Sequence, residues 1–232
     1  MTAVPTRRER QRTATLAEIR QAARKLVVTG GPTAISLRAI ARDLGMSAAA
    51  LYRYFPSLEA LVGQVCTDLY DELCDAVSVA GAGADRDGAG PQLIAMARGF
   101  RRWSIGHPQE FALLFGTPVP GVAELEDDCE SPDHPGARFG AVFIGPFVKL
   151  WEELGLPPEP ADEELRQRLA PAFVTHGEAL PLAAMYAFLS GWIRLYGVVA
   201  LEVFGHLRWA VTDVEPLFEA ELGAFVRQLA VG

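Results

Sequence analysis

Apolar side chains recur at helical spacing along most of this 232-residue chain, and this periodicity constrains the fold more than any other feature. Near the N-terminus the spacing is i, i+3, i+4, i+7, i+8, which places one apolar stripe along a helix. That stripe consists of Ile19, Ala22, Ala23, Leu26 and Val27. No segment alternates convincingly with the period of two that strands show. The sequence therefore predicts an all-α protein.

Glycine, proline and serine divide the periodic segments into separate helices. The first helix ends at Gly30-Gly31-Pro32, and Ser36, Ser47 and Ser57 are placed to cap the next three. Two loops are predicted, over Gly81–Gly90 and Gly116–Pro135. Beyond residue 80 the periodicity predicts helices near Pro91–Ile105, Pro108–Phe115, Ala137–Leu154, Asp162–Leu169, Ala179–Phe204 and Thr212–Val231.

Cysteine usage and the N-terminal composition bear on the cellular compartment. Three cysteines, Cys66, Cys74 and Cys129, are too few for a disulfide framework and show no spacing typical of structural zinc. The N-terminus is polar and arginine-rich, and it lacks the apolar region of a secretion signal. We therefore expect a cytoplasmic protein.

Charge is distributed very unevenly along the chain, although the formal total is −8. Residues 1–55 carry ten basic and three acidic side chains, a net charge of +7. The other 177 residues carry 11 basic and 26 acidic groups, a net charge of −15. This asymmetry favours a polyanion-binding head on an acidic body. The alternative is a basic N-terminus that only aids solubility.

The most apolar segment is Ala179–Leu201, 23 residues with one charged side chain, Arg194. Its length approaches that of a membrane span, but Arg194 lies well inside it and no lysine cluster flanks it. We expect a helix buried in the core or in a subunit interface, with no membrane insertion. Arg194 is expected to pair with Glu202 or another acidic group, the alternative being a ligand anion. The last helix would complete a two-fold interface with Val214, Leu217, Phe218, Leu222, Phe225 and Leu229.

Residues 36–55 have the organisation of a helix–turn–helix. Ala41 is small where two helices would cross closely, and Gly45 permits a tight left-handed turn between them. Ser47 then begins a helix whose first residues are small enough to approach base edges. The inner face of that helix is predicted to consist of Ala48, Leu51 and Phe55. The outward side chains would then be Ala49, Ala50, Tyr52, Arg53 and Tyr54.

These residues resemble the DNA-binding domain of the tetracycline-repressor (TetR) family of bacterial regulators. The resemblance spans residues 19–61 and rests on Ser36–Ala41, Gly45–Ser47, Leu51–Phe55 and Glu59–Leu61. It implies an all-α homodimer with a three-helix DNA-binding domain over residues 1–56. A helix over 57–80 would link this domain to a larger effector-binding and dimerisation domain over 57–232. A weaker resemblance, carried by Trp192–Gly197 and Glu202–His206, is to the Trp-His-Gly-type C-terminal domain of some members.

The candidate DNA-binding residues are Ser36, Arg38, Ser47, Ala48, Ala49, Ala50, Tyr52, Arg53 and Tyr54. Tyr54 is expected to reach a phosphate, while Arg53 is either a DNA contact or solvated surface. The alanines offer methyl contacts to thymine or serve only helix propensity, so DNA shape would supply part of the specificity.

One residue departs from the family pattern. Family members usually carry a phosphate-binding lysine directly after the Pro-Ser that opens the fourth helix, and here that residue is Leu58. Backbone N–H groups at that helix start can still bind phosphate, and the arginine-rich N-terminal segment is another source of such a contact.

An effector site is expected among aromatic and sulfur-containing side chains of the larger domain, each of which is otherwise plain core. The candidates are Trp103, Phe111, Phe143, Phe147, Trp151, Met185 and Trp192. The segment Asp127–His134 contains metal-competent groups but reads as a solvated loop. No catalytic constellation, metal site or cofactor motif is predicted.

The sequence therefore predicts a homodimeric, sequence-specific DNA-binding regulator that is not an enzyme. Its partners would be double-stranded operator DNA and a small apolar effector, whose binding releases a repressor from the operator. The alternative is a helical ligand-binding or interaction protein that binds DNA only weakly.

Overall fold

The computed structural model describes residues 6–116, 134–155, Glu164 and 181–231. These residues form nine α-helices and two 3₁₀ turns, and no strand occurs among them. The helices are α1 (Arg7–Gly30), α2 (Leu37–Asp43), α3 (Ala48–Tyr52), α4 (Leu58–Ala82), α5 (Ala89–Gly106), α6 (Pro108–Phe115), α7 (Pro135–Leu154), α8 (Leu182–Val203) and α9 (Glu215–Val231). The prediction of an all-α fold is confirmed.

The helix boundaries disagree with the sequence prediction around residues 81–90. The loop predicted there is wrong at both ends, because α4 continues to Ala82 and α5 begins at Ala89. Gly81 is buried, and a Cβ on it would lie 2.6 Å from the Cγ of Met96. This glycine therefore allows α4 to pack closely on α5 and does not interrupt the helix.

The other predicted helices beyond residue 80 are present, except where the chain is not described. The observed ends of α5 to α9 differ from the predicted ends by at most three residues. The predicted loop Gly116–Pro135 and the predicted helix Asp162–Leu169 lie largely outside the described residues.

The chain divides into two compact units. The first, which we call the head unit, comprises residues 1–69 and 109–127. Its boundary lies at Leu69, inside α4, whereas the sequence placed a domain boundary at residue 56. The buried core of its helices includes Ile19, Ala23, Val27, Ile40, Leu51, Phe55, Leu61, Val62 and Val65.

Two ion pairs join α1 to α4 and α6 within the head unit. Arg20 of α1 lies 3.2 Å from a carboxylate oxygen of Asp68, which joins α1 to the first half of α4. The Nε atom of Arg24 lies 3.3 Å from Glu110, whose side chain is only 5% exposed. The buried Glu110 carboxylate thus ties α6 to α1.

The second unit, which we call the body unit, comprises residues 70–108 and 128–232. Its core is aromatic: the ring centres of Phe100 and Phe139 are 5.6 Å apart, and those of Phe100 and Trp192 are 5.7 Å apart. These contacts bring α5, α7 and α8 together. The two guanidinium N–H groups of Arg101 donate to the two carboxylate oxygens of Glu202 at 2.7 Å, which fixes α5 to the end of α8.

The structure contradicts one expectation for the last helices and limits another to fewer residues. Arg194 does not pair with Glu202, which binds Arg101; instead its Nη2 donates to the Oε1 of Gln228 at 2.8 Å. Six apolar residues of the last helix were expected at a two-fold interface. Two of them, Phe218 and Leu229, are buried within their own chain, whereas Val214, Leu217, Leu222 and Phe225 are half-buried.

Candidate functional site

The turn between α2 and α3 sets the position of the helix that follows it. Gly45 adopts φ +63°, a left-handed conformation that glycine accepts without the Cβ penalty. The N–H of Met46 donates to the carbonyl of Ala41 at 2.8 Å, which closes the turn. Ala41 itself is buried, as expected of a small residue at a helix crossing.

Ser36 and Ser47 act as the N-caps of α2 and α3. The hydroxyl of Ser36 accepts a hydrogen bond from the N–H of Ala39 at 3.2 Å. The hydroxyl of Ser47 accepts one from the N–H of Ala50, also at 3.2 Å. Each cap uses an acceptor lone pair and leaves the O–H free to donate. Both serines can therefore support their helix and still donate to an anion.

α3 presents an exposed face of small, aromatic and basic side chains. Leu51 and Phe55 are buried beneath it, as predicted. Ala48 is exposed, so its assignment to the inner face is wrong: the helix begins at Ala48, and its packed face starts only at Leu51. The exposed candidates are Arg38, Ser47, Ala48, Ala49, Tyr52 and Arg53, whereas Ser36, Ala50 and Tyr54 are half-buried.

Two acidic side chains of the head unit, Glu9 and Asp43, are occupied by local partners. The carboxylate of Glu9 accepts the N–H of Thr6 at 2.6 Å in a capping box, and this hydrogen bond lowers the pKa of Glu9. Asp43 lies 3.4 Å from the Nζ of Lys25. Among the described residues, no carboxylate forms an ion pair with Arg38 or Arg53. The exposed face is therefore electropositive.

Tyr54 is packed against the first helix and does not extend freely into solvent. The guanidinium carbon of Arg12 lies 5.9 Å from the centre of the Tyr54 ring, within the range of a cation–π contact. Tyr52 is 53% exposed. Of the two tyrosines, Tyr54 is thus the one whose orientation the protein fixes.

α4 begins without a basic side chain. Its first residue is Leu58, and the hydroxyl of Ser57 accepts the N–H of Ala60 at 3.2 Å. A hydrogen bond from Ser57 holds the pKa of Glu59 below its usual range, so this first turn carries a carboxylate. The structure therefore offers no side-chain cation at the start of α4.

The body unit contains an apolar cavity of about 90 Å³ between α5, α7, α8 and α9. Three predicted effector residues line it: Phe143, Phe147 and Trp192. The other lining residues are Gly90, Leu93, Ile94, Ala97, Leu150, Phe188, Gly191, Leu195, Leu222, Phe225, Val226 and Leu229. No charged side chain lines the cavity, so it suits an uncharged, apolar group.

The remaining predicted effector residues do not line this cavity. The indole N–H of Trp103 donates to Glu72 at 3.0 Å, and Trp151 packs against Phe147 with ring centres 6.3 Å apart. Met185 is buried elsewhere in the body unit. Phe111 belongs to α6 and is buried in the head unit.

The sequence reasoning missed the cavity residues of α5, and it assigned those of α9 to a subunit interface. Leu93 and Ala97 lie four residues apart on one helix face, a signal that periodicity does carry. Periodicity shows that a face is apolar, but it cannot show that the face borders a void.

Comparison with known proteins gives consistent results over both halves of the chain. A family model described as "Bacterial regulatory proteins, tetR family" matches residues 19–65. A second, described as "Tetracyclin repressor-like, C-terminal domain", matches residues 93–225. The HTH-type transcriptional regulators Rv1816 of Mycobacterium tuberculosis and Mb1846 of Mycobacterium bovis are each 32% identical to this chain over 221 residues, which is 92% of either sequence.

Solved structures agree with the sequence comparisons. The crystal structure of SCO4313, described there as a regulatory protein, is 33% identical and superposes with a TM-score of 0.76. The match covers 95% of this chain and 98% of that one. A protein of unknown function from Rhodococcus sp. RHA1 shares the fold at 21% identity with a TM-score of 0.61, over 93% of this chain and 95% of its own.

The names of these relatives indicate regulators rather than enzymes. The helix–turn–helix geometry, the electropositive face of α3 and both family models lead to one conclusion. The chain belongs to the TetR family and is a helix–turn–helix, DNA-binding transcriptional regulator.

Proposed function

We propose that this regulator is a repressor that binds a two-fold operator as a homodimer and leaves it when a small apolar ligand enters the body unit. The observation that carries the proposal is the cavity lined by apolar side chains in a chain whose head unit has a DNA-binding face. A protein with both features can couple ligand binding to DNA release.

At the operator, α3 lies in the major groove and its exposed residues contact DNA. Arg53 donates to base edges or phosphates, and Tyr52 and Tyr54 contact the backbone. Ala48, Ala49 and Ala50 bring the helix close to the bases and contact thymine methyl groups. Ser36, Arg38 and Ser47 donate to phosphates beside the groove.

Replacing Arg53 tests this interface. The Arg53→Ala variant is expected to fold normally and to lose about 1–3 kcal/mol of operator binding if the arginine reads a base. Arg86→Ala is a matched control, because Arg86 is exposed but belongs to the body unit. Gel shifts at physiological salt with the region upstream of the protein's own gene measure both. If the unmodified protein fails to bind specifically there, the rival reading gains support, namely a helical ligand-binding protein that binds DNA weakly.

The effector is an uncharged molecule with a flat or slender apolar part. Aromatic side chains from three helices, Phe143, Phe147, Phe188, Trp192 and Phe225, surround the cavity. A cavity of about 90 Å³ admits a small ring or a short chain without local rearrangement. A charged ligand would lose hydration there without gaining a partner.

Filling the cavity tests the effector site. Ala97 is 5% exposed and lines the cavity, so Ala97→Leu places a larger side chain in it. Benzene, toluene and the straight-chain alcohols from butanol to octanol are suitable probes, with tryptophan fluorescence as the readout. We expect quenching or enhancement with the unmodified protein and loss of the response in Ala97→Leu. The exposed Ala220 of α9 provides the control variant Ala220→Leu.

α4 is the element through which ligand binding would reach the head unit. It is one continuous helix from Leu58 to Ala82, and its buried residues include Leu61, Val65 and Leu69. A two-fold operator requires fixed spacing of its two recognition helices, about 34–36 Å apart or a multiple of that. A small shift of α4 would change this spacing. A coupling of about 1–3 kcal/mol alters operator affinity 5–150-fold, and saturating operator must weaken ligand binding by the same factor.

The exposed face of α8 supports assembly into a homodimer. The segment Ala183–Val203 is long and apolar enough to cross a membrane by composition, and only 28% of its 18-residue apolar window is buried within the chain. Tyr186, Ile193 and Leu201 are exposed at near-heptad spacing, with Ser190 and Gly197 between them. A second copy of α8 packing on this stripe would bury it without a membrane.

A further inference from the structure

The first three turns of α1 are helical although they bury almost nothing. This segment, Arg7–Ala17, which we call the arm, precedes the first buried residue of the helix, Ile19. The Thr6–Glu9 capping box starts the arm, and its arginines are Arg7, Arg8, Arg10 and Arg12. Burial of apolar side chains does not explain why the arm is present. Its charged side chains are therefore the place to look for its role.

Two of these arginines meet the end of the recognition helix. Arg8, Gln11 and Arg12 of the arm surround a polar cleft of about 230 Å³ together with Arg53 and Tyr54. We call this the arginine cleft. Its lining residues supply three guanidinium groups, a phenol hydroxyl and a side-chain amide, and none of them is a carboxylate. Among the described residues, no carboxylate forms an ion pair with Arg8, Arg12 or Arg53.

We propose that the arginine cleft binds one phosphate of the operator backbone, so that the arm and the recognition helix clamp the same strand. This inference rests on the proposed operator interface. Three guanidinium groups around one space repel one another, and an anion between them offsets part of that repulsion. Guanidinium groups also match a phosphate with paired, charge-assisted hydrogen bonds.

Tyr54 gives the cleft a defined geometry. The guanidinium carbon of Arg12 lies 5.9 Å from the centre of the Tyr54 ring. Tyr54 therefore positions Arg12 while its own hydroxyl can donate to the bound phosphate. Arg53 follows α3 directly and is exposed, which connects the cleft to the face that reads DNA. The cleft therefore lies where a backbone phosphate would pass when α3 occupies the groove.

The start of α4 explains why the head unit gains from such a clamp. Leu58 stands where the family resemblance implies a phosphate-binding lysine, and Glu59 adds a carboxylate to the same turn. A phosphate bound in the arginine cleft restores one ionic contact per half-site from a different element.

Matched double variants distinguish the contribution of the arginine cleft to DNA binding from that of the overall positive charge of the arm. The test variant is Arg8→Ala/Arg12→Ala, and the control is Arg7→Ala/Arg10→Ala. Both remove two positive charges from the same exposed helix, but only the first removes residues that line the cleft. The full-length proteins are compared on a duplex selected from a random library by the unmodified protein, between about 50 and 200 mM salt.

The clamp predicts a specific change in salt dependence. Each phosphate neutralised contributes about 0.9 to the magnitude of the slope of log affinity against log salt concentration. A dimer on a two-fold operator has two clefts, so the slope of the test variant should be smaller in magnitude by about 1.8. By the same relation, each lost cleft weakens binding about fivefold at 0.15 M salt. The control is expected to change affinity less than twofold. Equal losses in the two variants would overturn the clamp and leave only diffuse attraction.

Phosphate-ethylation interference locates the contact. With the unmodified protein, ethylation of one further phosphate per half-site should interfere with binding, and this interference should vanish in Arg8→Ala/Arg12→Ala but persist in the control. Leu58→Lys added to the test variant should recover part of the affinity without restoring that interference. An unchanged interference pattern in the test variant contradicts the proposal.

The remaining outcomes distinguish a DNA phosphate from a free anion and from a failure of the operator interface. If inorganic phosphate binds in an Arg8- and Arg12-dependent way while the DNA pattern stays unchanged, the cleft belongs to a free anion and the clamp is refuted. If the unmodified protein selects no duplex at all, the proposed operator interface fails, and the clamp, which rests on it, fails with it. If the unmodified protein selects a duplex strongly but the test and control variants bind it with the same affinity, the clamp is rejected and the operator interface stands.

Discussion

The two units differ in what they leave exposed. The head unit buries its apolar residues within the chain and exposes isolated side chains such as Val28 and Tyr52. The body unit instead leaves an exposed stripe on α8, where Tyr186 is 51% and Ile193 is 67% exposed. It also contains a partly open apolar cavity that its own side chains do not fill.

This difference indicates which unit needs a partner to be complete. Apolar surface is stabilised when water is removed from it, and a contiguous exposed stripe marks an interaction surface. The head unit already buries its apolar side chains, and it presents positive charge to the proposed operator DNA. The body unit has two unsatisfied apolar surfaces, for which we propose a second protomer and a ligand.

Disrupting the α8 stripe is expected to have the largest effect. Gly197→Leu adds a side chain where a Cβ meets no atom of the same chain within 4 Å, so the protomer should fold normally. The added side chain would block the close approach of a second α8. Losing the linked second head should reduce operator affinity by about 10²–10⁴-fold. Sedimentation equilibrium and gel shifts measure the two consequences.

Val79→Glu is the control for the α8 variant. Val79 is 75% exposed in the body unit but lies on α4, away from the stripe. The Val79→Glu variant should remain dimeric and bind operator normally. Two outcomes would contradict the assignment of the α8 stripe to a dimer interface. One is sedimentation of the unmodified protein as a monomer at micromolar concentration, and the other is a Gly197→Leu variant that still dimerises.

Truncating one leucine in each unit tests whether the head unit is the better packed. Leu51 is fully buried in the head unit, and Leu51→Ala should lower the free energy of unfolding by about 3 kcal/mol. Leu195 is half-buried and borders the cavity, so it already lacks neighbours on one side. Leu195→Ala should cost about 1 kcal/mol. Urea unfolding followed by circular dichroism compares them, and equal losses would mean that packing does not distinguish the units.

The turn of the helix–turn–helix gives a smaller and purely local effect. A Cβ on Gly45 meets nothing within 4 Å, but the residue has φ +63°. Gly45→Ala should therefore cost about 1 kcal/mol through backbone strain alone. Gly106 is also free of neighbours at its Cβ position and has no positive φ, so Gly106→Ala is the control and should be neutral or slightly stabilising. A neutral Gly45→Ala would show that the turn tolerates a different conformation.

The helix–turn–helix of the head unit could be predicted from sequence because its determinants are local. Ser36, Gly45 and Ser47 each act within a few residues, as caps or as the turn, and Leu51 and Phe55 follow from the spacing of one helix. Their roles could be derived without knowledge of the rest of the chain. Ala48 is the exception, because the helix begins there and its packed face starts only at Leu51.

The body unit was predicted less well because its determinants are contacts between distant residues. Gly81 resembled a loop residue, yet it packs against Met96. Trp103 resembled a ligand contact, yet its indole N–H is bound to Glu72, and Arg194 could not be matched to Gln228. The cavity needs side chains from four helices, so no single segment carries its signal.

The smallest predicted effect concerns an ion pair that joins α5 to α9 in the body unit. Two N–H groups of Arg98 donate to the two carboxylate oxygens of Glu219 at 2.7 Å, and these hydrogen bonds hold the pKa of Glu219 below its usual 4.5. A carboxylate with a lowered pKa in the folded state stabilises the protein above the unfolded pKa, and this contribution is lost as the pH falls through the folded value. Glu219→Gln should therefore lower the unfolding free energy near neutral pH, and its stability should converge on that of the unmodified protein as the pH falls below the folded pKa of Glu219.

Solvent limits the size of that effect. The Arg98 and Glu219 side chains are 50% and 38% exposed, so screening should keep the difference below about 1 kcal/mol. Urea unfolding at several pH values, with high salt as a further condition, measures it. A difference that persists unchanged at acid pH would show that Glu219 acts through packing rather than charge. In that case the Arg98–Glu219 pair adds no charge-dependent stability, and the residues of α9 at the cavity, such as Phe225, become the stronger candidates for coupling ligand binding to stability.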